Sequence, residues 1–318
     1  MNSRAFFLAS PLALILMLAP AVHAEPIVGL TSNNRLLTFD SLTPGTITNT
    51  ATITGLQTGE TLVGIDLRPR NATVYGLGRS STGAGSIYIL AANTGVATRV
   101  AGLTANAADT TNLFTSLQGS AFGIDFNPVP DTTDAATGSL RVTSETGFNY
   151  RINVNNGQVF TDTNLDYTDS TRDPRIPAVA YTNNFFGATT TTLRGVDTGT
   201  DTDTVVTFTS PNDGTLTVGS AVTLPFNSTD GLTGYDISQL GGIFFSATAT
   251  GASTSQLFEA TSGGIINRGT IGGGTTIVDI TAISAVPEPS SLALAGLGVA
   301  ILGLSGLARR KRSAAQTG

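Results

Sequence analysis

The chain has 318 residues, a length that permits one large β-domain or two small ones with a sizeable buried core. It contains no cysteine, and its single histidine is His23, so a Ser-His-Asp triad, a cysteine nucleophile, a disulfide framework and a typical zinc site are excluded from the chain beyond the N-terminus. The formal net charge is −6, and this acidic balance disfavours nucleic acid and anionic lipid as partners.

The first 24 residues have the pattern of a secretory signal peptide. Arg4 supplies a positive charge, an apolar run follows it, and Val22-His23-Ala24 fits a small-x-small cleavage site. We therefore predict that signal peptidase cuts between Ala24 and Glu25. An uncleaved anchor is the alternative.

Residues 25–285 show the pattern of an all-β domain without long helices. Short stretches with apolar residues at alternate positions flank turn sequences, as in GSIYILAANTGVATRVAGL (85–103) and NYRINVNNGQVFTDT (149–163). The Asn-Thr-Gly and Asn-Asn-Gly segments within them are typical hairpin turns. We therefore predict a series of short antiparallel strands.

A repeat of four strands runs through this body. VGIDLRP (63–69) recurs as FGIDFNP (122–128), and AVAYTNN (178–184), TGYDISQ (233–239) and IVDITAI (277–283) take corresponding places. Four-stranded units in series are the signature of a β-propeller. A β-sandwich pair and a β-solenoid are the alternative folds.

The spacing of the repeat predicts five blades. Four of them cover residues 62–102, 122–162, 177–220 and 233–272. The fifth is composite, because IVDITAI supplies its first strand and PIVGL, RLLTFD and TITNTATI near the N-terminus supply the other three. Pairing of the N-terminal and C-terminal strands would then close the ring and remove exposed sheet edges.

The body also resembles family 4394 of the domains of unknown function. NRLLTFD, GIDLRP, LRVTSETGFNYRINVNNGQVFTDTNLDY, PAVAYTNNF and PNDGTL carry the similarity, which spans about residues 27–283. The family has no assigned activity, so the resemblance implies kinship and leaves the function open.

An aspartate recurs in four of the five repeats. If the strands that bear it line a central channel, the carboxylates converge near one axis, where they could hold a hard cation such as Ca²⁺. We favour the structural alternative, in which each carboxylate accepts backbone N–H bonds from a loop or a neighbouring blade; catalysis is the third interpretation. The recurring residues are Asp66, Asp125, Asp236 and Asp279, with Tyr181 at the matching place in the remaining repeat.

Two acidic segments lack the spacing of an EF-hand and are interpreted as solvated loops. They are VDTGTDTDTV (196–205) and NLDYTDSTRDP (164–174), and in the second we expect Arg172 to pair with Asp169 or Asp173. Candidate aromatic platforms for stacking sugars are Tyr75, Tyr88, Tyr150 and Tyr235, and the absence of tryptophan weakens this interpretation.

The C-terminal segment has three parts in order. Pro287, Glu288 and Pro289 precede an uncharged run at 290–308, which as a helix of about 28 Å would span a membrane. The basic residues that follow would keep that end in the cytoplasm. They are Arg309, Arg310, Lys311 and Arg312.

This order resembles the PEP-CTERM sorting signal of Gram-negative bacteria. The resemblance implies that an inner-membrane exosortase cleaves near the Pro-Glu-Pro motif and that the product leaves for the cell surface or extracellular matrix, where such proteins accompany exopolysaccharide. An ordinary C-terminal anchor is the alternative. We therefore predict a signal peptide (1–24), a propeller body (25–285), a sorting signal with its transmembrane helix (286–312) and a tail (313–318).

These patterns together predict an exported, non-enzymatic binding or structural protein. Signal peptidase and exosortase are its expected processing partners and exopolysaccharide is a candidate ligand. No cofactor is expected, with Ca²⁺ as the alternative. The competing hypotheses are an extracellular polysaccharide hydrolase or lyase that uses aspartates near the propeller axis, and a permanently anchored sensor.

Overall fold

Five β-sheets stand around a single axis in the computed structural model, which describes residues 24–133 and 139–283. The predicted sorting motif, transmembrane helix and basic cluster lie outside these residues, as does the signal peptide up to residue 23. Within the described ranges, no helix is long and apolar enough to cross a membrane.

The strands follow the alternation read from the sequence. Two short helical segments interrupt them: α1 (Pro128–Thr133) and a 3₁₀ turn (Pro211–Asp213). In chain order the strands are β1 (Pro26–Thr31), β2 (Arg35–Asp40), β3 (Thr43–Thr52), β4 (Glu60–Arg68), β5 (Thr73–Ser80), β6 (Gly85–Ala91), β7 (Val96–Gly102), β8 (Thr104–Ala105), β9 (Phe122–Phe126), β10 (Leu140–Ser144), β11 (Asn149–Asn153), β12 (Gln158–Thr161), β13 (Asp166–Tyr167), β14 (Ala178–Tyr181), β15 (Leu193–Asp197), β16 (Thr204–Ser210), β17 (Thr215–Thr223), β18 (Ser228–Ile237), β19 (Ile243–Ala249), β20 (Gln256–Thr261), β21 (Gly264–Thr270) and β22 (Ile277–Ala282).

The prediction of a five-bladed propeller is confirmed. Blade 1 has the order β4-β5-β6-β7, blade 2 β9-β10-β11-β12, blade 3 β14-β15-β16-β17 and blade 4 β18-β19-β20-β21. Blade 5 is the composite sheet β22-β1-β2-β3, in which Ile27 pairs with Ala282 and Gly29 with Ile280. The first and last described strands therefore close the ring by antiparallel pairing.

Hydrophobic packing between the blades holds the ring together. Five separate clusters of buried side chains fill the spaces between sheets, because each strand places alternate residues on the two faces of its blade. Blades 1 and 2, for example, share a core that includes Tyr75, Leu77, Phe122 and Phe126. The axis itself is lined differently, by small and acidic residues.

The outer edges of three blades are covered by connecting segments that the repeat does not predict. On its way from one blade to the next, the chain first pairs in parallel with the outermost strand of the blade it is about to enter. Thr54 bridges to Val96 on β7, β8 pairs with β12, and β13 pairs with β17. These contacts shield part of the free strand edges that would otherwise favour intermolecular pairing.

Candidate functional site on the propeller axis

The five innermost strands bring three predicted aspartates together on the axis. Asp66 on β4, Asp125 on β9 and Asp236 on β18 each present a carboxylate oxygen, and these oxygens all lie within 4.8 Å of one another. The three residues are only 1–2% exposed. We call this group the axial cluster. Asp279 on β22 is also buried, at 4% exposure, but it is not a member of the group.

Hydrogen bonds between neighbouring inner strands correct the predicted register of the repeat. The Asp66 carboxylate accepts the N–H of Phe126, and Asp236 accepts that of Ala282. In the same pattern, the hydroxyl of Thr281 accepts the N–H of Leu67 at 3.0 Å. Thr281, and not Asp279, is therefore the counterpart of Asp66 in blade 5.

Blade 3 requires a similar correction. A Cβ at Gly123 would lie 2.7 Å from the Ala178 Cα, so Gly123 stands beside Ala178 on the adjacent inner strand. Asp125, two residues further on, therefore stands beside Ala180, and the predicted match to Tyr181 was wrong by one position. No carboxylate comes from blade 3 at this level.

The side chains of the five inner strands form layers along the axis. Asp279 lies two residues before Thr281 and so belongs to the next layer, or level. The same level in the other blades carries Gly64, Gly123, Ala178 and Gly234. A Cβ at Gly64 would lie 3.3 Å from Asp279 Oδ2, so these small residues leave room for the one large side chain. The Gly-x-Asp spacing of three repeats, absent from IVDITAI, was the sequence signal that would have revealed the shift.

The axial carboxylates differ in how fully their oxygens are bonded. Asp66 Oδ1 accepts the Leu67 N–H at 2.7 Å and the Thr281 hydroxyl at 3.2 Å, and its Oδ2 accepts the Phe126 N–H at 2.8 Å. By contrast, Asp125 Oδ1 and Asp236 Oδ1 are buried and have no hydrogen-bond partner. The cluster therefore contains two free acceptor atoms inside the protein.

Electrostatics disfavours three charges at this place. Burial and the nearby Asp236 carboxylate raise the pKa of Asp66 well above its usual range, and burial together with Asp66 and Asp236 does the same for the pKa of Asp125. Burial raises the pKa of Asp236 to about 7, against bonds from Ala282 and Ile237 that favour its ionised form. The cluster can therefore retain protons at neutral pH or accept a cation through oxygen ligands.

The prediction of a solvated loop at 196–205 holds for Asp201, which is exposed, but is wrong for the other two aspartates. Asp197 and Asp203 are completely buried. Asp197 accepts hydrogen bonds from Tyr167 and, at 2.5 Å, from Arg172, which therefore does not rely on Asp169 or Asp173 as predicted. These aspartates anchor the base of the loop between β15 and β16.

Asp203 is held by the following strand. It accepts hydrogen bonds from the backbone N–H of Ser228, at 3.0 Å, and from the Ser228 hydroxyl. Burial raises the pKa of Asp203 to about 6. Its partners are internal, so Asp203 ties blade 3 to the start of blade 4.

The predicted aromatic platforms are also corrected by the structure. The four tyrosines are at most 5% exposed and belong to the cores between blades, where no sugar ring can stack on them: Tyr75, Tyr88, Tyr150 and Tyr235. The exposed aromatic side chains among the described residues are Phe185 at 45% and Phe186 at 57%, in the loop between β14 and β15.

The predicted signal-peptide junction lies at the edge of the described structure. Glu25 is 7% exposed, and its backbone N–H donates to the Ser41 hydroxyl at 2.9 Å. The Ser41 N–H in turn donates to the Glu25 carbonyl, also at 2.9 Å. The first residue of the predicted mature chain is thus integrated into blade 5, and cleavage before it stays a prediction.

Fold and motifs together define the chain as an exported β-propeller of five blades. It belongs to the family described as domain of unknown function DUF4394, whose model matches residues 35–281. Residues 285–312 match the PEP-CTERM protein-sorting motif, which marks the protein as a target of exosortase. Both predicted resemblances are confirmed.

Solved structures with a similar arrangement share little sequence with this chain. One from a nidogen/laminin complex is 11% identical with a TM-score of 0.44, covering 82% of this chain and 99% of that one. A Lactobacillus plantarum protein is 14% identical with a TM-score of 0.38, covering 79% of this chain and 83% of that one. TolB from Acinetobacter baumannii is 12% identical with a TM-score of 0.38, covering 81% of this chain and 66% of that one. No curated protein matches the chain.

Proposed function

We propose that the protein is released by exosortase to the cell surface or the extracellular matrix, where its propeller has a non-enzymatic binding or structural role in association with exopolysaccharide. The sorting motif at residues 285–312 is the observation that carries this proposal. Antiparallel pairing of β1 with β22 closes the ring without any disulfide and removes free sheet edges, which suits a module that must persist outside the cell.

The burial of the axial cluster favours binding or structure over polysaccharide cleavage. Glycoside hydrolysis by two carboxylates requires that they flank a sugar, at about 5–5.5 Å apart in retaining enzymes and about 6.5–9.5 Å in inverting ones. One oxygen from each residue of the axial cluster lies within 4.8 Å of the others, and the three residues are almost completely buried. A polymer chain has no place between them.

An exposed aromatic loop offers a better contact for a polymer. Phe185 and Phe186 project from the connection between β14 and β15, and the Gly187 N–H donates to the Thr132 hydroxyl of α1, which fixes the loop against its neighbour. Aromatic rings held in place can stack on the apolar faces of sugars at low entropic cost.

The mass of the exported protein tests the processing step. We expect the form found outside the inner membrane to begin at Glu25 and to end near Pro289, without residues 290–312. Intact-mass spectrometry measures both ends at once. In a triple alanine variant of Pro287, Glu288 and Pro289, we expect the tail to be retained. Exported wild-type protein that still carries residues 290–312 would overturn the proposal of release.

Incubation with the producer's own exopolysaccharide tests the role after release. We expect the protein to co-sediment with the polymer and to leave the polymer's length distribution unchanged on size-exclusion chromatography. Replacing Phe185 and Phe186 by alanine should weaken co-sedimentation about tenfold or more, because stacking on each ring contributes of the order of 1 kcal/mol. Leu113→Ala, which removes a side chain 59% exposed on another loop, is the matched control. Shortened polymer would instead support the hydrolase or lyase.

A further inference from the structure

We propose that the axial cluster of Asp66, Asp125 and Asp236 binds one Ca²⁺ ion. This inference does not depend on the proposed binding of exopolysaccharide at the exposed Phe185 and Phe186 loop. It begins from the two oxygens without partners, Asp125 Oδ1 and Asp236 Oδ1, in side chains 99% and 98% buried. A buried oxygen without a donor costs free energy, and a bound cation would remove that cost.

Asp279 shows what a purely structural aspartate looks like in the same interior. Its Oδ2 accepts the N–H of Ile65 and its Oδ1 that of Ile280, both at 2.9 Å. Both of its oxygens are therefore bonded by the backbone. Asp125 and Asp236 each lack a donor to one oxygen, so backbone bonding alone does not account for them.

Charge around the cluster points in the same direction. The carboxylates of Asp66, Asp236 and Asp279 all oppose the ionisation of Asp125 and raise its pKa. Buried arginines of the propeller pair with other acids, as Arg68 does with Asp131 at 2.7 Å. A divalent cation would supply positive charge at the cluster itself.

The ligand chemistry selects the ion. Three carboxylates offer oxygen only, which suits a hard cation, and sulfur or imidazole ligands are absent from the body by composition. Two oxygens on opposite sides of Ca²⁺, at about 2.3–2.6 Å each, are about 4.6–5.2 Å apart. That is the largest separation one ion can bridge, and the oxygens of the cluster, all within 4.8 Å of one another, meet this condition. Mg²⁺ holds several waters tightly and is less suited to a buried site.

Calcium binding to the exported protein tests the proposal. After removal of metal with a chelator, equilibrium dialysis with ⁴⁵Ca²⁺ should give one ion per chain, with a dissociation constant of about 10⁻³ M or tighter, the range of extracellular Ca²⁺ modules. At a Ca²⁺ concentration one hundred times that constant, the thermal midpoint should rise by about 5 °C or more. Less than one ion per chain together with an unchanged midpoint would overturn the site. Protons shared between the carboxylates would then be what stabilises the cluster.

Asparagine variants locate the ion. Asp125→Asn and Asp236→Asn keep the shape of the side chain and remove the charge, so each should weaken Ca²⁺ binding at least tenfold and abolish the thermal shift. Asp279→Asn is the matched control, because Asp279 is nearly as buried but lies outside the cluster, and this variant should retain most of the shift. Circular dichroism verifies that each variant is folded. If a variant does not fold, the number of Ca²⁺ ions bound per wild-type chain decides whether the site exists. Wild-type binding in both cluster variants would place the ion elsewhere and refute the assignment.

Discussion

Gly123→Ala should destabilise the propeller by about 3 kcal/mol, although it adds only one methyl group. A Cβ at this position would lie 2.7 Å from both the Ala178 Cα and the Val179 N of the adjacent inner strand. These are backbone atoms of β14, so no side-chain rotation relieves the contact, and the ring must widen at the axis. Urea unfolding of the exported protein, followed by circular dichroism, measures the loss.

Gly45→Ala is the matched control for this prediction. Gly45 also lies in a strand, β3, and the nearest atom to an added Cβ would be the Thr270 carbonyl oxygen at 3.6 Å, an ordinary contact. We expect a change within about 0.5 kcal/mol. Equal losses in the free energy of unfolding at the two positions would contradict this prediction. They would show that any replacement of glycine in these strands is destabilising, whether or not β9 and β14 approach closely.

The fold was predictable because the repeat and the strand alternation agree. VGIDLRP and FGIDFNP lie on β4 and β9, the innermost strands of successive blades, and IVDITAI forms β22, which closes the ring on β1. The edge-covering strands β8 and β13 were not predictable in this way. Each has two residues, too few for any period to be visible.

The axial site was predictable in part. Recurrence of an aspartate on the innermost strands correctly brought Asp66, Asp125 and Asp236 to one place. The alignment of Asp279 with the other three aspartates was wrong. A shift of two residues keeps a side chain on the same side of a strand and changes only its level along the axis, so the strand pattern did not reveal the error. Hydrogen bonds between blades were needed to see that Thr281 takes the place.

Burial of acidic residues outside the axis could not be read from the sequence. Asp197 lies in a Thr- and Gly-rich stretch that is typical of exposed loops, yet it is completely buried. Its partners Tyr167 and Arg172 lie 30 and 25 residues away along the chain. A local pattern does not contain such distant partners, so composition favoured the solvated interpretation.

Arg141→Met should cost about 3 kcal/mol, because Arg141 joins blades 2 and 3 through a buried network. From its place on β10, its Nη1 donates to Asp162 at 2.6 Å and to Asn149 at 2.8 Å, and its Nη2 donates to Asn212, beyond β16, at 2.7 Å. Methionine preserves much of the stem and removes every donor. Asp162 keeps its pair with Arg151, which limits the loss, while the two amide oxygens lose a charged donor.

Arg268→Met is the control that separates loss of the link between blades 2 and 3 from loss of any paired arginine. Arg268 pairs with Glu259 at 2.7 Å, but the two side chains are 21% and 16% exposed and both belong to blade 4. We expect its replacement to cost less than about 1 kcal/mol. Urea unfolding of both variants measures the difference, and equal losses would contradict the role of Arg141 as a link between blades. A larger loss for Arg141→Met would instead show that blades 2 and 3 depend on a buried polar contact as well as on their hydrophobic cores.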